Sequence, residues 1–471
     1  MRIHFPDIRT IQRELGQIHW WIVLFFILGL ENITNPPLDD HSWRQTLTIS
    51  ISKNLMDYPN PFYPRMDIGG KTEGIIAGEF PIYNYFVTIT YWIFGYTDWS
   101  GRLVNWLFSC VGLWFFYGLI KKLTNSRVAF YSAVAFMASI TFQFARKTMP
   151  DTFSLSLVFA GTFYAWTYLE NHRTRDLILS FILISLGLLS KVPSIVIICF
   201  LIVPFMRNEY KMKNKINVGV AIGISAIIMC IWLFYWMPHL LEHYKNQLIW
   251  PVSLSEGWEI MNNLSYDVWE RFRFFAFSSR VPFILAVAGL GALVVRGERQ
   301  ILLCSLAYSV LFFLFILKTG AVFPNHNYYV IPYTPLMAFF IGYLFANSSS
   351  NFFWPLTILL LMLFPSFSAN RKASFNPFEN RYLLRLEEIV NKYVNKSDKV
   401  MVNNGMFNPT LMFYTRRKGW TVNQDVVSKV DWMPDFKRDG LKYIVIDRHL
   451  LNDTLPFSLV YEDQDFRIYK P

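Results

Sequence analysis

Long apolar runs recur along this chain and constrain it more than any other feature. They fall at 18–30, 101–120, 127–144, 152–169, 176–190, 192–206, 216–236, 281–296, 300–317, 328–346 and 352–368. An α-helix rises about 1.5 Å per residue, so runs of this length approach the roughly 30 Å hydrocarbon core of a bilayer. A soluble fold would need polar surface to cover them. Charged residues make up only 16% of the chain, against about 25% in soluble domains. The expected fold is an α-helical polytopic membrane protein with about eleven spanning helices. The first run follows a mildly basic N-terminus but precedes no small-x-small cleavage site, so it reads as a retained helix rather than a signal peptide.

The formal net charge is +11, and its placement sets an orientation. Arg2, Arg9 and Arg13 precede the first run. Lys121, Lys122 and Arg127 follow the second, Arg173 and Arg175 the fourth. Arg207, Lys211, Lys213 and Lys215 follow the sixth, and Arg296 and Arg299 the eighth. These clusters share one face, the inner one, if the aromatic stretch 80–96 lies at the outer interface instead of spanning. No basic run resembles a nucleic-acid arm, so no nucleic-acid partner is expected. Cys110, Cys199, Cys230 and Cys304 all sit in apolar runs, without metal spacing, and read as small buried hydrophobes.

This topology leaves two long outer loops, 31–100 and 237–280, with short outer turns at 145–151, 190–194 and 318–327. Lys191 and Pro193 suggest a tight helical hairpin at 190–194. Beyond residue 369 the pattern changes. RLEEIVNKYV at 385–394 has helical periodicity, and KVMVNN at 399–404, KGWTVN at 418–423 and LKYIVIDR at 441–448 read as strands. The expected division is a transmembrane domain, 1–369, and a small α/β domain, 370–471, on the outer side.

The residues able to carry chemistry gather in the outer segments. PPLDDHSWRQ, 36–45, joins two carboxylates, an imidazole, an indole and a guanidinium directly after the first run. Asp39 and Asp40 could serve as a general base or hold a divalent cation, the one cofactor the chain suggests. Arg44 could grip a phosphate. A solvated Pro-Pro turn with a capping Asp is the plainer reading. In ARKTMPD, 145–151, Arg146 runs against the positive-inside trend, and Asp151 either caps a helix or works in the site. Lys191 is a lone cation in an apolar setting, or a snorkelling one. His326, Tyr328 and Tyr329 stand at the outer end of a run, where an aromatic belt is the alternative. YPRMDIGG and GEFPIY add Arg65, Asp67 and Glu79. Walker, GxSxG, HExxH and Rossmann motifs are missing from the sequence. Cations at an outer face make sense if they hold a lipid phosphate.

The order of these pieces resembles the GT-C membrane glycosyltransferases, in particular the family of protein O-mannosyltransferases and lipid A aminoarabinose transferases. LDDH at 38–41 is similar to that family's acidic pair. FPIYNY, IFG at 93–95 and GRL at 101–103 are similar to the segment that opens its second span. RKTMPD at 146–151, LGLLSK at 186–191 and NYYVIPYTP at 327–335 follow in the family's order. DHSWRQ looks like a bacterial branch. Asp40 stands where Glu is commoner, which blurs which acid of the pair is catalytic.

The resemblance implies transfer of a sugar from a polyprenyl-phosphate carrier to a lipid, glycan or protein acceptor, with inversion, at the outer face of a bacterial inner membrane. It implies a GT-C-like fold with the active site and C-terminus extracytoplasmic. The catalytic set would be Asp39, Asp40 and Asp151. Arg44, Arg65, Arg146 and Lys191 would bind the donor phosphate, and His41, Trp43, Glu79, His326, Tyr328 and Tyr329 the substrates. Two alternatives stand beside it: a transporter or flippase of an amphiphilic lipid, which would favour internal repeats, and a polymerase or ligase of lipid-linked glycans.

Overall fold

The computed structural model describes residues 17–249, 251–373 and 380–471. Each apolar run is helical over most of its length. Among the described residues, five helices are long and apolar enough to cross a membrane: Ser100–Leu123, Met212–Tyr244, Arg299–Thr319, Asn327–Ala346 and Phe353–Ala373. Ile18–Gly29, Val192–Met206 and Val281–Val295 are shorter apolar helices. The chain divides into two compact units. A helical unit holds residues 17–33, 102–232 and 251–373, and a mixed unit holds 34–101, 233–249 and 380–471.

In the helical unit, several runs depart from straight α-helices, Asn327–Tyr333 among them as a 3-10 helix. Val192–Leu201 is wound as a 3-10 helix before Ile202–Met206 returns to α. A 3-10 helix rises about 2.0 Å per residue against about 1.5 Å for α, so this short segment reaches roughly 28 Å, close to a hydrocarbon core. The expected span 127–144 is broken instead of continuous. Ser126–Met137 ends, and Thr141–Phe144 begins a second short helix. The break is satisfied internally: Asn370 Nδ2 donates to the Ala138 carbonyl at 3.0 Å, and Ile140 N–H donates to Ala276 O at 2.9 Å. Broken helices are tolerated at membrane depth only where the protein itself supplies such partners.

Side-chain pairs define two ends of the helical unit. At one end Lys122 pairs with Glu170, Arg127 Nη1 donates to Ser350 O at 3.2 Å, Lys215 Nζ donates to Arg207 O at 2.7 Å, and Arg296 bonds Asn347. The basic clusters at 121–127, 207–215 and 296–299 therefore share that end. Arg2, Arg9 and Arg13 lie outside the described residues. At the other end Arg146 reaches Asn370 and Lys191 faces Asp151. There Glu31 accepts from Arg371 Nη2 at 2.8 Å, and this hydrogen bond holds the Glu31 carboxyl below the usual carboxylate range.

Small residues let the helices approach. A Cβ on Gly342 would lie 2.1 Å from Ser132 Oγ, and one on Gly112 would lie 2.3 Å from Ser156 Oγ. Close backbone approach of this kind is a main source of helix association where no hydrophobic driving force acts.

The mixed unit is built on helix Ser42–Asp57, which is buried along most of its length although ten of its sixteen residues are polar. Asn84 Nδ2 donates to Thr48 O at 2.8 Å and to Ser52 Oγ at 3.1 Å, and Thr88 Oγ1 donates to Ser52 O at 2.8 Å. These bonds fasten helix Ile82–Phe94 across it. The opposite face of Ile82–Phe94 is apolar and bare, with Phe94 81% exposed beside Ile89, Trp92 and Ile93. That is the polarity expected of a helix lying at an interface.

The C-terminal segment forms a five-stranded sheet: β1 Lys399–Val402, β2 Gly419–Thr421, β3 Leu441–Asp447, β4 Ser458–Glu462 and β5 Phe466–Lys470, in the order β2-β1-β3-β5-β4. The first three strands are parallel and the last two add antiparallel. Leu383, Leu386, Val390 and Leu411 share one hydrophobic core with Leu47, Ile51 and Leu55 of helix Ser42–Asp57. The free edge of β2 is covered by the 65–75 loop, with Gly69 N–H and Gly70 N–H both donating to Gly419 O, which removes an exposed strand edge.

Overpacking at the Gly342 contact should be costly. Gly342→Val is expected to destabilise by about 1–3 kcal/mol, read as a lower thermal midpoint in detergent. Gly219→Val, where nothing lies within 4 Å of an added Cβ, should leave the midpoint within a degree or two of the parent. Equal midpoints for both variants would refute the close contact.

Candidate active site

The DDHSWRQ string is shaped by a single turn. His41 takes a left-handed conformation, φ 60°, and ends the loop at the start of helix Ser42–Asp57. The turn separates the two carboxylates. Asp39 is 4% exposed, and its Oδ1 accepts from Gln45 Nε2 at 2.9 Å. The Asp40 side chain is 49% exposed and stands 3.6 Å from His41 Nε2. Gln45, which the sequence reading passed over, lies one turn into the helix and also reaches the Asp40 carbonyl at 3.5 Å. Its place inside the same string was the available signal. The two acids are therefore not equivalent: one is packed and oriented, the other meets solvent.

Arg44 Nη2 donates to both carboxylate oxygens of Glu79 at 2.8 Å, and both side chains are largely covered. This pair joins the start of helix Ser42–Asp57 to the loop before Ile82–Phe94. Trp43 packs against the hydrophobic core of the mixed unit. Arg65 lies elsewhere. It pairs with Glu73 at 2.7 Å and stacks over Tyr58 at 4.2 Å, beside the far end of Ser42–Asp57. That end is roughly 22 Å from Ser42 along the helix axis. Asp67 also turns away, accepting from Asn54 Nδ2 at 2.9 Å.

In the helical unit, the expected residues of three separate segments come together. Asp151 follows Pro150 in the first turn of Pro150–Asn171, a position that favours a carboxylate at the helix N-terminus. Lys191 lies in extended backbone between Thr174–Ser190 and the 3-10 helix, with Nζ 3.7 Å from Asp151 Oδ1. The same Nζ stands 5.5 Å from the Tyr329 ring and 5.9 Å from the Tyr328 ring. His326 stacks on Tyr328 with centroids 5.5 Å apart. Ser154 holds the Lys191 turn, its hydroxyl donating to Gly187 O at 2.8 Å and Lys191 O at 3.0 Å.

Arg146 and Lys147 are both fully buried. Arg146 donates from Nε to Phe142 O and from Nη2 to Asn370 O, each at 3.2 Å, and lies over the Phe142 ring at 4.1 Å. Asn105 Nδ2 holds the same turn through Lys147 O at 2.9 Å and Phe144 O at 3.1 Å. Asn105 and Asn370 are positioning groups that no motif announced. Arg102, in the GRL string, is also fully buried.

A divalent ion would require a ligand set around Asp39 and Asp40. Among the described residues, no group of three or more His, Cys, Asp or Glu side chains is gathered to hold one.

Breaking a buried pair by removing one partner leaves an uncompensated charge. Asp151→Asn and Lys191→Met should each lower the thermal midpoint, and the double variant should lose less than the sum of the two. A coupling of about 0.5–3 kcal/mol is expected for residues in contact. Strict additivity of the three midpoints would mean that the two groups do not interact.

Residues 79–236 match the model of the dolichyl-phosphate-mannose-protein mannosyltransferase family. No curated protein matches the chain. Among solved structures, the fold is similar to that of ArnT from Cupriavidus metallidurans bound to undecaprenyl phosphate, at 12% identity and TM-score 0.62, over 96% of this chain and 98% of that one. It is also similar to the archaeal oligosaccharyltransferase AglB from Archaeoglobus fulgidus in complex with an inhibitory peptide and a dolichol-phosphate. That likeness has 12% identity and TM-score 0.58, over 90% of this chain and 69% of that one. The chain has the fold of the GT-C membrane glycosyltransferases, and one continuous stretch of it matches their protein mannosyltransferase family model.

Proposed function

We propose that this chain is an integral membrane glycosyltransferase that moves a sugar from a polyprenyl-phosphate donor to a hydroxyl-bearing acceptor. The observation that carries the reading is the likeness of fold over nearly the whole chain to a transferase structure holding undecaprenyl phosphate. In the proposed reaction Asp39 accepts the proton of the acceptor hydroxyl, whose oxygen attacks the anomeric carbon. The bond from that carbon to the phosphate oxygen breaks with inversion, and polyprenyl phosphate leaves. Lys191 and Arg146 supply positive charge for the phosphate as its charge develops. Asp151 and the Tyr328–Tyr329 rings hold the Lys191 ammonium in place. Gln45 fixes the orientation of Asp39, and Asp40 supports it.

The basic end of the helical unit fits the cytoplasmic side under the positive-inside rule. The Asp151–Lys191 end would then be extracytoplasmic, and the proposal places the C-terminus on that side of the membrane too. The protein would lie in a bacterial inner membrane. Lys71, Asp435 and Arg175 have side chains about 70% exposed or more. Cysteines at Lys71 and Asp435 should both react with an impermeant maleimide on intact cells, and one at Arg175 only after permeabilisation. Labelling of the Arg175 position alone would reverse the orientation.

The reaction itself is tested by incubating purified protein with labelled polyprenyl-phosphate sugars and a membrane extract, then identifying the labelled product. Loss of a general base costs about a hundredfold to ten-thousandfold in rate. Asp39→Asn is expected to lose that much while folding normally, and Asp40→Asn to lose far less. A dead Asp40→Asn beside an active Asp39→Asn would reverse the roles, and two active variants would move the base elsewhere.

A further inference from the structure

The mixed unit holds a cavity of about 850 Å³, within the size range of small-molecule sites. It lies at the C-terminal end of helix Ser42–Asp57, roughly 22 Å along the helix axis from Ser42. Its walls come from the 57–75 loop and from the end of helix Met237–Tyr244. The two walls are tied together, because Asn246 Nδ2 donates to Thr72 Oγ1 at 2.8 Å and to Ile75 O at 2.9 Å.

The lining is built with some strain. Glu73 is held at φ 57° and is followed by Gly74 at φ 75°, where a Cβ would lie 2.0 Å from Met66 O. This turn presents Glu73 to Arg65, whose guanidinium lies over the Tyr58 ring. Tyr63 stands edge-on to both Trp236 and Tyr244, at 5.6 and 6.4 Å. Tyr58, Tyr63 and Tyr244 thus line a space that also offers the Asp57 carboxylate and the Asn60 amide. The charges balance: Arg65 and Lys71 against Asp57 and Glu73. An anion would have to displace Glu73 from Arg65.

We infer that this cavity binds an uncharged oligosaccharide and is a distal acceptor subsite of the proposed transferase, holding the part of the acceptor remote from the hydroxyl that meets Asp39. Sugar rings have apolar C–H faces that pack on aromatic side chains. Their rims of hydroxyls act as both donors and acceptors, and carboxylate, amide and guanidinium groups meet both needs. Phosphate recognition would call for uncompensated cations, whereas here Arg65 pairs with Glu73 and Lys71 stands 3.7 Å from Asp439. The inference rests on the transferase reading for the cavity's role, though not for its ligand.

The test uses the full chain in detergent micelles and a printed array of uncharged hexose and N-acetylhexosamine oligomers, followed by titration of the best ligand. Wild type should bind. Tyr58→Ala and Tyr63→Ala should weaken binding at least tenfold at unchanged thermal midpoint, and Asp39→Asn should bind like wild type. In the transfer assay Tyr58→Ala should raise the acceptor KM with kcat nearly unchanged, the signature of lost uniform binding. Should Tyr58→Ala fail to fold, Asn60→Ala at the exposed rim gives the same readout. Wild type that transfers sugar yet binds none of the oligomers, or binds only phosphorylated ones, overturns this inference and leaves the transferase standing. Oligomer binding that the Tyr58 and Tyr63 variants abolish, in a protein that transfers nothing, overturns the transferase reading and leaves the cavity's ligand standing.

Discussion

A buried helix lined with polar side chains survives only when each polar group finds a partner, and Ser42–Asp57 is such a helix. Its middle is answered by Asn84 and Thr88. Its far end is answered by Asp67 and by Lys418, whose Nζ donates to Asn54 Oδ1 at 2.6 Å. Its near end is answered by Glu79 through Arg44 and by Asp39 through Gln45. An unmet polar group at such depth costs about 1–3 kcal/mol, so these bonds fix the helix in rotation and in register. The orientation of Asp39 follows, because its partner stands on that helix. The shared apolar core with Leu386 and Val390 adds the burial that holds the C-terminal sheet to the same scaffold.

The helical unit solves a different problem: two buried basic residues, Arg146 and Lys147, on a turn inside apolar surroundings. The turn exists because helix Ser126–Met137 stops early, and the stop is stabilised by Asn370. The Asn370 side chain donates to Ala138 O and accepts from Ser278 Oγ at 2.8 Å, while the main-chain carbonyl of Asn370 accepts from Arg146. The Asp151–Lys191 pair depends in turn on a hairpin in which Gly187 lets Thr174–Ser190 pack against Val158 of Pro150–Asn171. Backbone irregularity and charge thus coincide, as they must where only the protein can satisfy a freed carbonyl.

The helices were legible because apolar runs of near-spanning length have few other uses, and β1, β2 and β3 were legible because they follow turn residues with buried, β-branched runs. Strands β4 and β5 were not, since β4 is an edge strand with mostly exposed side chains and carries no alternation a sequence can show. The 3-10 winding at Val192–Leu201 and the break after Met137 were invisible for a related reason. The break meets partners far away in sequence, Asn370 and Ala276, and the 3-10 segment meets Ser154 and Cys304. Among the candidate residues, the acidic pair, Asp151 and Lys191 stood out as charges in apolar or turn settings. Gln45, Asn105 and Asn370 did not, because neutral amides carry no such contrast. Arg65 illustrates the opposite limit. Its charge was visible, but its commitment to Glu73 and Tyr58 was not.

The left-handed turn at His41 explains why two adjacent acids need not compete for one role. Side by side in an extended loop, two carboxylates would repel, and one would hold its proton. With His41 at φ 60°, Asp39 goes inward to an amide donor and Asp40 outward to solvent and an imidazole. In the proposed reaction this leaves one oriented carboxylate, Asp39, held by a neutral amide, and one that meets solvent, Asp40. The amide of Gln45 thus ties the orientation of Asp39 to the packing of the helix that carries it.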